Sequence, residues 1–121
     1  MVAAPAPVRL IGVPTNSAGR ADGVARAPAA LRAAGLAEAL GARDAGDVAV
    51  PPLAPERDPR SGPIAVESLT GMVESARRAV RSALEAGEMP FVVGGDCPIL
   101  LGCLAGARRI VLLVRRVFGR R

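Results

Sequence analysis

The chain has 121 residues, enough for one domain with a substantial buried core. It contains sixteen arginines but no lysine, histidine, tryptophan or tyrosine, and half of its residues are apolar. The lack of lysine excludes a Walker-type phosphate loop, and the lack of histidine excludes a cysteine-histidine hydrolase within this chain. A core made of valine, leucine, isoleucine and alanine suits a parallel sheet covered by helices.

The positive charge is confined to the end of the chain. Residues 1–107 carry ten arginines and eleven acidic residues, a net charge of −1, whereas residues 108–121 carry six arginines and no acid, a net charge of +6. The arginine-rich tail is either a solvated end or a phosphate-binding arm. Because residues 1–107 carry no excess of positive charge, we do not expect nucleic acid to be a partner of this part of the chain.

No segment of the sequence predicts export or membrane insertion. The first seven residues lack a basic region and contain two prolines, and the apolar run at 98–107 is shorter than the ~20 residues that span a bilayer. Cys97 and Cys103 match no zinc or redox spacing. We therefore expect a cytoplasmic protein without a membrane partner.

The first half of the chain predicts a strand, a polar loop, helical structure and a second strand. Residues 8–13 form an apolar run that stops at Pro14, and residues 14–23 are rich in Gly, Asn, Ser and Thr. Leucine spacing over 27–40 predicts one helix, or two short helices broken at Gly35. A short, weak strand is predicted within 43–50.

The second half begins with a loop at 51–63, which holds five prolines. Residues 64–85 predict a helix, because apolar residues recur every three or four positions: Val66, Leu69, Val73, Ala76, Val80 and Leu84. A strand at 89–93, a helix at 98–107 and a final strand at 110–114 follow. Strands that alternate with helices predict a parallel sheet with right-handed crossovers.

Ligands of such sheets bind beyond the carboxyl ends of the strands, which selects the loops 14–23 and 94–98. Gly94 and Gly95 allow a sharp turn into a helix whose N-terminal amides would favour a negative charge on Asp96 or Cys97. Cys97 is then either a metal ligand or nucleophile, or a buried, inert cysteine. Asn16 and Ser17, with Arg20, could border the site, although such residues also form plain turns.

Three segments, in this order, resemble one known family. Ile11-Gly12-Val13-Pro14, with Gly23-Val24 and the stretch Ala27-Pro28-Ala29-Ala30-Leu31-Arg32-Ala33-Ala34-Gly35-Leu36, is similar to the opening of the ureohydrolases, which include arginase, agmatinase and formiminoglutamase. Asp44-x-Gly46-Asp47 is similar to their second strand, and Gly94-Gly95-Asp96-Cys97-Pro98 to their Gly-Gly-Asp-His-Ser segment. The resemblance covers residues 8–107, the N-terminal part of an arginase-like domain.

The resemblance implies an incomplete arginase-like fold, a three-layer α/β/α sandwich with a parallel sheet. It also implies hydrolysis of linear amidine or guanidino carbon-nitrogen bonds by a pair of Mn²⁺ ions acting on a small guanidino or amidine substrate, in a chain able to form homo-oligomers. Cys97 stands where the family has its first histidine ligand, with Gly94, Gly95 and Asp96 beside it. The remaining ligands belong to Asp-x-His-x-Asp and Asp-x-Asp motifs that this chain lacks.

These departures predict that the chain alone is inactive, with no catalytic residue of its own and with either an altered metal site or none. Thiolate is a softer ligand than Mn²⁺ prefers. The arginine-rich tail is explained by truncation, by a shifted reading frame or as a genuine tail. Two alternatives stay open: a non-catalytic partner or binding module that uses this tail, and a small α/β domain with a fortuitous likeness.

Overall fold

The computed structural model describes residues 4–52, 54–60, 62 and 64–118, with side chains described as far as Arg108. It consists of a three-stranded parallel sheet with helices on both faces. In chain order the elements are β1 (Val8–Val13), a 3-10 turn (Gly23–Arg26), α1 (Ala27–Ala33), α2 (Leu36–Leu40), β2 (Arg43–Asp47), α3 (Val66–Glu85), β3 (Met89–Gly94) and α4 (Ile99–Phe118). The strand order is β2-β1-β3.

The central strand β1 is parallel to both of its neighbours and is buried on both faces. Leu10 and Val13 are 0% exposed and Ile11 is 2% exposed. Because side chains alternate along a strand, Arg9 and Ile11 face α3, whereas Leu10 and Gly12 face α1. The hydrogen bond from Arg9 to Ser82 of α3 and the closeness of Gly12 to Arg32 of α1 agree with this assignment. The predicted parallel α/β architecture is therefore confirmed.

One face of the sheet is closed by α3 and α4. The core on this side is built around Val13, Met72 and Ala76, all 0% exposed. On α3 the buried positions are Ser68, Met72, Ala76, Val80 and Ala83. The predicted apolar face was therefore right for Ala76 and Val80, and the predicted Leu69 and Val73 also pack against this core, but the prediction missed the buried Ser68, Met72 and Ala83.

Two glycines of α4 allow it to lie directly against α3. A Cβ at Gly102 would be 2.6 Å from the carbonyl oxygen of Val73, and a Cβ at Gly106 would be 2.7 Å from that of Arg77. Either side chain would push the helices apart, since these contacts are with backbone atoms. The close α3–α4 packing thus depends on glycine at both positions.

The predicted strand at 110–114 is wrong, because these residues continue α4, which extends to Phe118. An apolar run of five residues fits a strand and a buried helix equally well by periodicity, and here the run is continuous with a helix that already packs on α3. The side chains of the arginine-rich tail beyond Arg108 lie outside the described residues. None of the helices, as far as the structure describes them, is long and apolar enough to cross a membrane.

An ion pair joins the starts of the strands. The guanidinium of Arg9 on β1 donates two hydrogen bonds of 2.8 Å to the carboxylate of Glu88, immediately before β3. Arg43 at the start of β2 donates to the same carboxylate at 3.2 and 3.3 Å. The hydrogen bonds from Arg9, followed by the charge of Arg43, lower the pKa of Glu88 from its ordinary 4.5 to about 2.

This lowered pKa makes the stability of the fold depend on pH. A carboxylate whose folded pKa lies below its unfolded value stabilises the fold above the unfolded pKa, and this contribution is lost as the pH falls through the folded pKa. Between pH 4.5 and about 2, the free energy of unfolding of the parent chain should fall as the pH falls. We expect this decrease to be smaller in the Glu88→Gln variant. Urea unfolding at a series of pH values measures this dependence. Glu85→Gln, at an exposed position of α3, is the matched control. Its free energy of unfolding should depend on pH as that of the parent chain does.

Candidate functional site

The loops that follow β1 and β3 meet at the carboxyl edge of the sheet, as predicted. Val13 pairs with Gly94 in the parallel register, so the chain leaves both strands at the same level. The first loop contains Thr15, Asn16 and Ser17, and the second contains Gly95 and Asp96. The site is therefore formed by two loops on adjacent strands.

Gly95 is required because the two loops touch through their backbones. A Cβ at Gly95 would lie 1.6 Å from the carbonyl oxygen of Thr15, far inside van der Waals contact. A Cβ at Gly94 would lie 2.9 Å from the flexible Cδ1 of Ile99 and 3.0 Å from the carbonyl oxygen of Val13. The double glycine was predicted to permit a sharp turn, and the structure shows that it also permits this close approach of the loops.

Asp96 connects the two loops by hydrogen bonds. Its Oδ2 accepts from the backbone amide of Ser17 at 2.9 Å and from the Ser17 hydroxyl. Its Oδ1 is buried and has no hydrogen-bond partner among the described residues. A small cavity of about 10 Å³ lies beside this carboxylate and is also lined by Thr15, Asn16 and Ser68. A cavity of that size has room for about one water molecule.

Asn16 and Arg20 stabilise the first loop from within. The Asn16 side chain accepts a hydrogen bond from the amide of Ala18 at 2.9 Å and donates one to the carbonyl of Asp22 at 3.2 Å. Arg20 pairs with the carboxylate of Asp22, and its hydrogen bond lowers the pKa of Asp22. Of the predicted border residues, Ser17 therefore reaches Asp96, while Asn16 mainly holds the loop and lines the cavity.

Cys97 lies one residue past Asp96 and is exposed, so it is not the buried cysteine that was one of the two predicted alternatives. Cys103 is half-buried, and burial raises the pKa of its thiol. No three His, Cys, Asp or Glu side chains come close enough to hold a metal ion within the part of the chain that the structure describes. Asp96 and Cys97 by themselves do not make a site for a pair of Mn²⁺ ions, which prefer several oxygen and imidazole ligands.

A second cluster of charged residues was not predicted from the sequence. Arg32 on α1 donates to Asp44 at 2.8 Å and also to Asp47, the acids at either end of the Asp44-x-Gly46-Asp47 segment. The hydrogen bond from Arg32 lowers the pKa of Asp44. A Cβ at Gly12 would be 2.8 Å from the Arg32 Nη2, so the guanidinium lies directly against β1. In the sequence these residues are only one arginine in a predicted helix, followed by two acids in the next predicted strand, and this arrangement does not by itself indicate a contact.

Comparisons with known proteins agree on one family. The model of the arginase family matches residues 6–117. Arginase-1 of Rattus norvegicus is 34% identical over 91% of this chain and 35% of that protein, and the arginase of Bacillus caldovelox is 32% identical over 85% and 36%. The chain thus spans about a third of the length of these relatives.

Solved structures give the same result for the fold. The native arginase from Bacillus caldovelox at pH 5.6 aligns with a TM-score of 0.74 and 30% identity, covering 88% of this chain and 38% of that one. An arginase from Bacillus subtilis aligns with a TM-score of 0.72 and 26% identity, covering 88% and 35%. The described sheet and helices therefore correspond to a part of the arginase fold.

The contact between the loops predicts different effects for substitutions at the two glycines. Gly95→Ala places a methyl group on a backbone oxygen, which forces the loops apart and separates Asp96 from Ser17. We expect it to lower the free energy of unfolding by at least ~2 kcal/mol, in the range of severe steric changes. Gly94→Ala mainly displaces the end of the Ile99 side chain and should have the smaller effect. Urea unfolding of both variants measures the difference, and equal effects would contradict the contact.

Proposed function

Because this chain belongs to the arginase family, we propose that it forms the N-terminal framework of a hydrolase of guanidino or linear amidine carbon-nitrogen bonds. The observation that carries the proposal is the junction of the two loops through Gly95 and Asp96. It assembles, at the carboxyl edge of a parallel sheet, the segment whose sequence resembles the family's Gly-Gly-Asp-His-Ser. The substrates of such a hydrolase would be small guanidino or amidine compounds.

In this framework the residues of the chain position the segment that follows β3. The Asp96 carboxylate is anchored to Ser17, so the position of Cys97 is set by the first loop and by the start of α4. In the family the position of Cys97 carries a histidine that binds Mn²⁺, and Mn²⁺ would supply an activated water. With Cys97 there, the donor set of this chain does not fit that metal pair, so no hydrolytic step is assigned to its residues.

We further propose that the 121-residue chain has no hydrolase activity by itself. The sequence has no histidine and no carboxylate after Asp96, and among the described acids Asp22, Asp44 and Asp47 are already paired with arginines. A dinuclear site needs several carboxylates and imidazoles that hold two ions ~3.5 to 4 Å apart. Restoring one ligand therefore cannot restore the site.

An activity assay tests the proposed inactivity, and turnover in it would bear on the proposed hydrolase class as well. The purified chain with added Mn²⁺ should release no urea or ammonia from arginine, agmatine, guanidino acids or formiminoglutamate. Cys97→His should be equally inactive, because it adds one imidazole and no partner ligands. Manganese-dependent turnover by either form, absent from an Asp96→Ala control purified in the same way, would contradict inactivity and support the hydrolase class.

The coding sequence tests the origin of the arginine-rich tail. We propose that truncation or a shifted reading frame separates the chain from the family's remaining metal ligands, since charge changes from −1 in residues 1–107 to +6 in residues 108–121, although the family model still matches as far as residue 117. One of the reading frames downstream of codon 107 should encode Asp-x-His-x-Asp. Its absence from every frame would overturn this interpretation of the tail and leave the family membership intact.

A further inference from the structure

The two oxygens of the Asp96 carboxylate have different surroundings. Oδ2 accepts from the amide and from the hydroxyl of Ser17, whereas Oδ1 is buried and accepts no hydrogen bond from any described residue. A buried acceptor without a donor is costly, and most buried polar groups in folded proteins bind either other protein atoms or an ordered water. The Oδ1 atom therefore marks a place where a donor is required inside the fold.

The packing around Oδ1 restricts what this donor can be. Described residues already cover the oxygen, so a further polypeptide could not reach it from outside without displacing them. The cavity beside the carboxylate measures about 10 Å³, which corresponds to about one water molecule. An organic ligand does not fit in that volume. The donor must therefore be no larger than a water molecule.

Two buried residues with hydroxyl groups also line this cavity. Thr15 follows β1 and is 4% exposed, and Ser68 lies in the first turn of α3 and is 3% exposed. The Ser68 hydroxyl donates its hydrogen to the carbonyl oxygen of Pro52 at 2.6 Å, so toward the cavity it can only accept. A molecule between Ser68 and Asp96 must then donate two hydrogens, one to each oxygen.

We propose that the cavity binds one water molecule, which donates one hydrogen to Asp96 Oδ1 and the other to Ser68 Oγ. The Thr15 hydroxyl, which can donate, gives this water its third partner. About three hydrogen bonds are typical of buried waters in folded proteins. A metal ion has no hydrogen to donate, and it would leave the Ser68 and Asp96 oxygens to act as ligands instead.

The bound water extends the contact between the two loops to α3. Asp96 joins the second loop to the first through Ser17, and the water joins this pair to Ser68. Ser68 is in turn bonded to Pro52, in the segment that follows β2. The position of Asp96, and of Cys97 directly after it, thus depends on α3 as well as on the first loop. This role of the water does not rest on any hydrolase activity.

A crystal structure of the full chain, at a resolution that shows ordered waters, tests the site. One peak should lie in the cavity, at about 2.5 to 3.0 Å from both Asp96 Oδ1 and Ser68 Oγ. A cavity without a peak would overturn the proposal, as would a carboxylate turned so that Oδ1 bonds to a protein group. A peak with six or more oxygen neighbours at metal-ligand distances would identify a cation and overturn it equally.

Oxygen-17 magnetic relaxation dispersion tests the same site in solution, because it counts long-lived buried waters. Ser68→Val replaces the hydroxyl by methyl groups that fill part of the cavity, and it should lower the count by one. Ser82→Val, at an exposed position of the same helix, is the matched control and should leave the count unchanged. An equal count in the parent chain and in Ser68→Val would overturn the proposal.

A second variant covers the case in which Ser68→Val loses the circular-dichroism signal of the folded chain. Thr15→Val has nearly the shape of the parent side chain but lacks the hydroxyl that donates to the water. It should shorten the residence time of the water, measured by the same relaxation dispersion. A residence time equal to that of the parent chain would contradict the assigned contacts.

Discussion

The burial of β1 on both faces is the constraint on which the rest of the structure depends. This strand has hydrogen-bonded neighbours on both sides and helices above and below it. Leu10 and Ile11 fill opposite layers of the core, and a one-residue shift of the strand would exchange them. The ion pair of Arg9 with Glu88 joins the amino ends of β1 and β3. The candidate site lies at the opposite edge of the sheet, beyond the carboxyl ends of the same two strands.

The site follows from that register. Because Val13 and Gly94 lie side by side, the chain has no space for a side chain at Gly95, and the following residue is brought within hydrogen-bond distance of the first loop. Asp96 then joins Ser17. The contact between the two loops thus depends on glycine at position 95 and on the hydrogen bonds of Asp96.

The order of elements from β1 to the start of α4 could be predicted from the sequence, because apolar periodicity is a local property. The position of the two loops could also be predicted, because the carboxyl ends of parallel strands lie at one edge of the sheet. The predicted pair Gly94 and Gly95 lies where the two loops come into contact. The bonds from Arg9 to Glu88 and from Arg32 to Asp44 could not be predicted, since each joins elements whose distance is set only by the tertiary fold. The prediction of a strand at residues 110–114 was wrong because a short run of apolar residues is compatible with a buried strand and with a buried part of a helix.

The central proposal is that the arginase-family framework described above lacks a functional Mn²⁺ centre. Electron paramagnetic resonance of Mn²⁺ tests it directly, since hydrated Mn²⁺ gives a six-line signal that weakens when the ion is bound by protein. At equimolar protein the signal of the free ion should stay unchanged. A stoichiometric loss of that signal, reversed by a chelator and absent when Cys97 and Asp96 are replaced by alanine, would contradict the account.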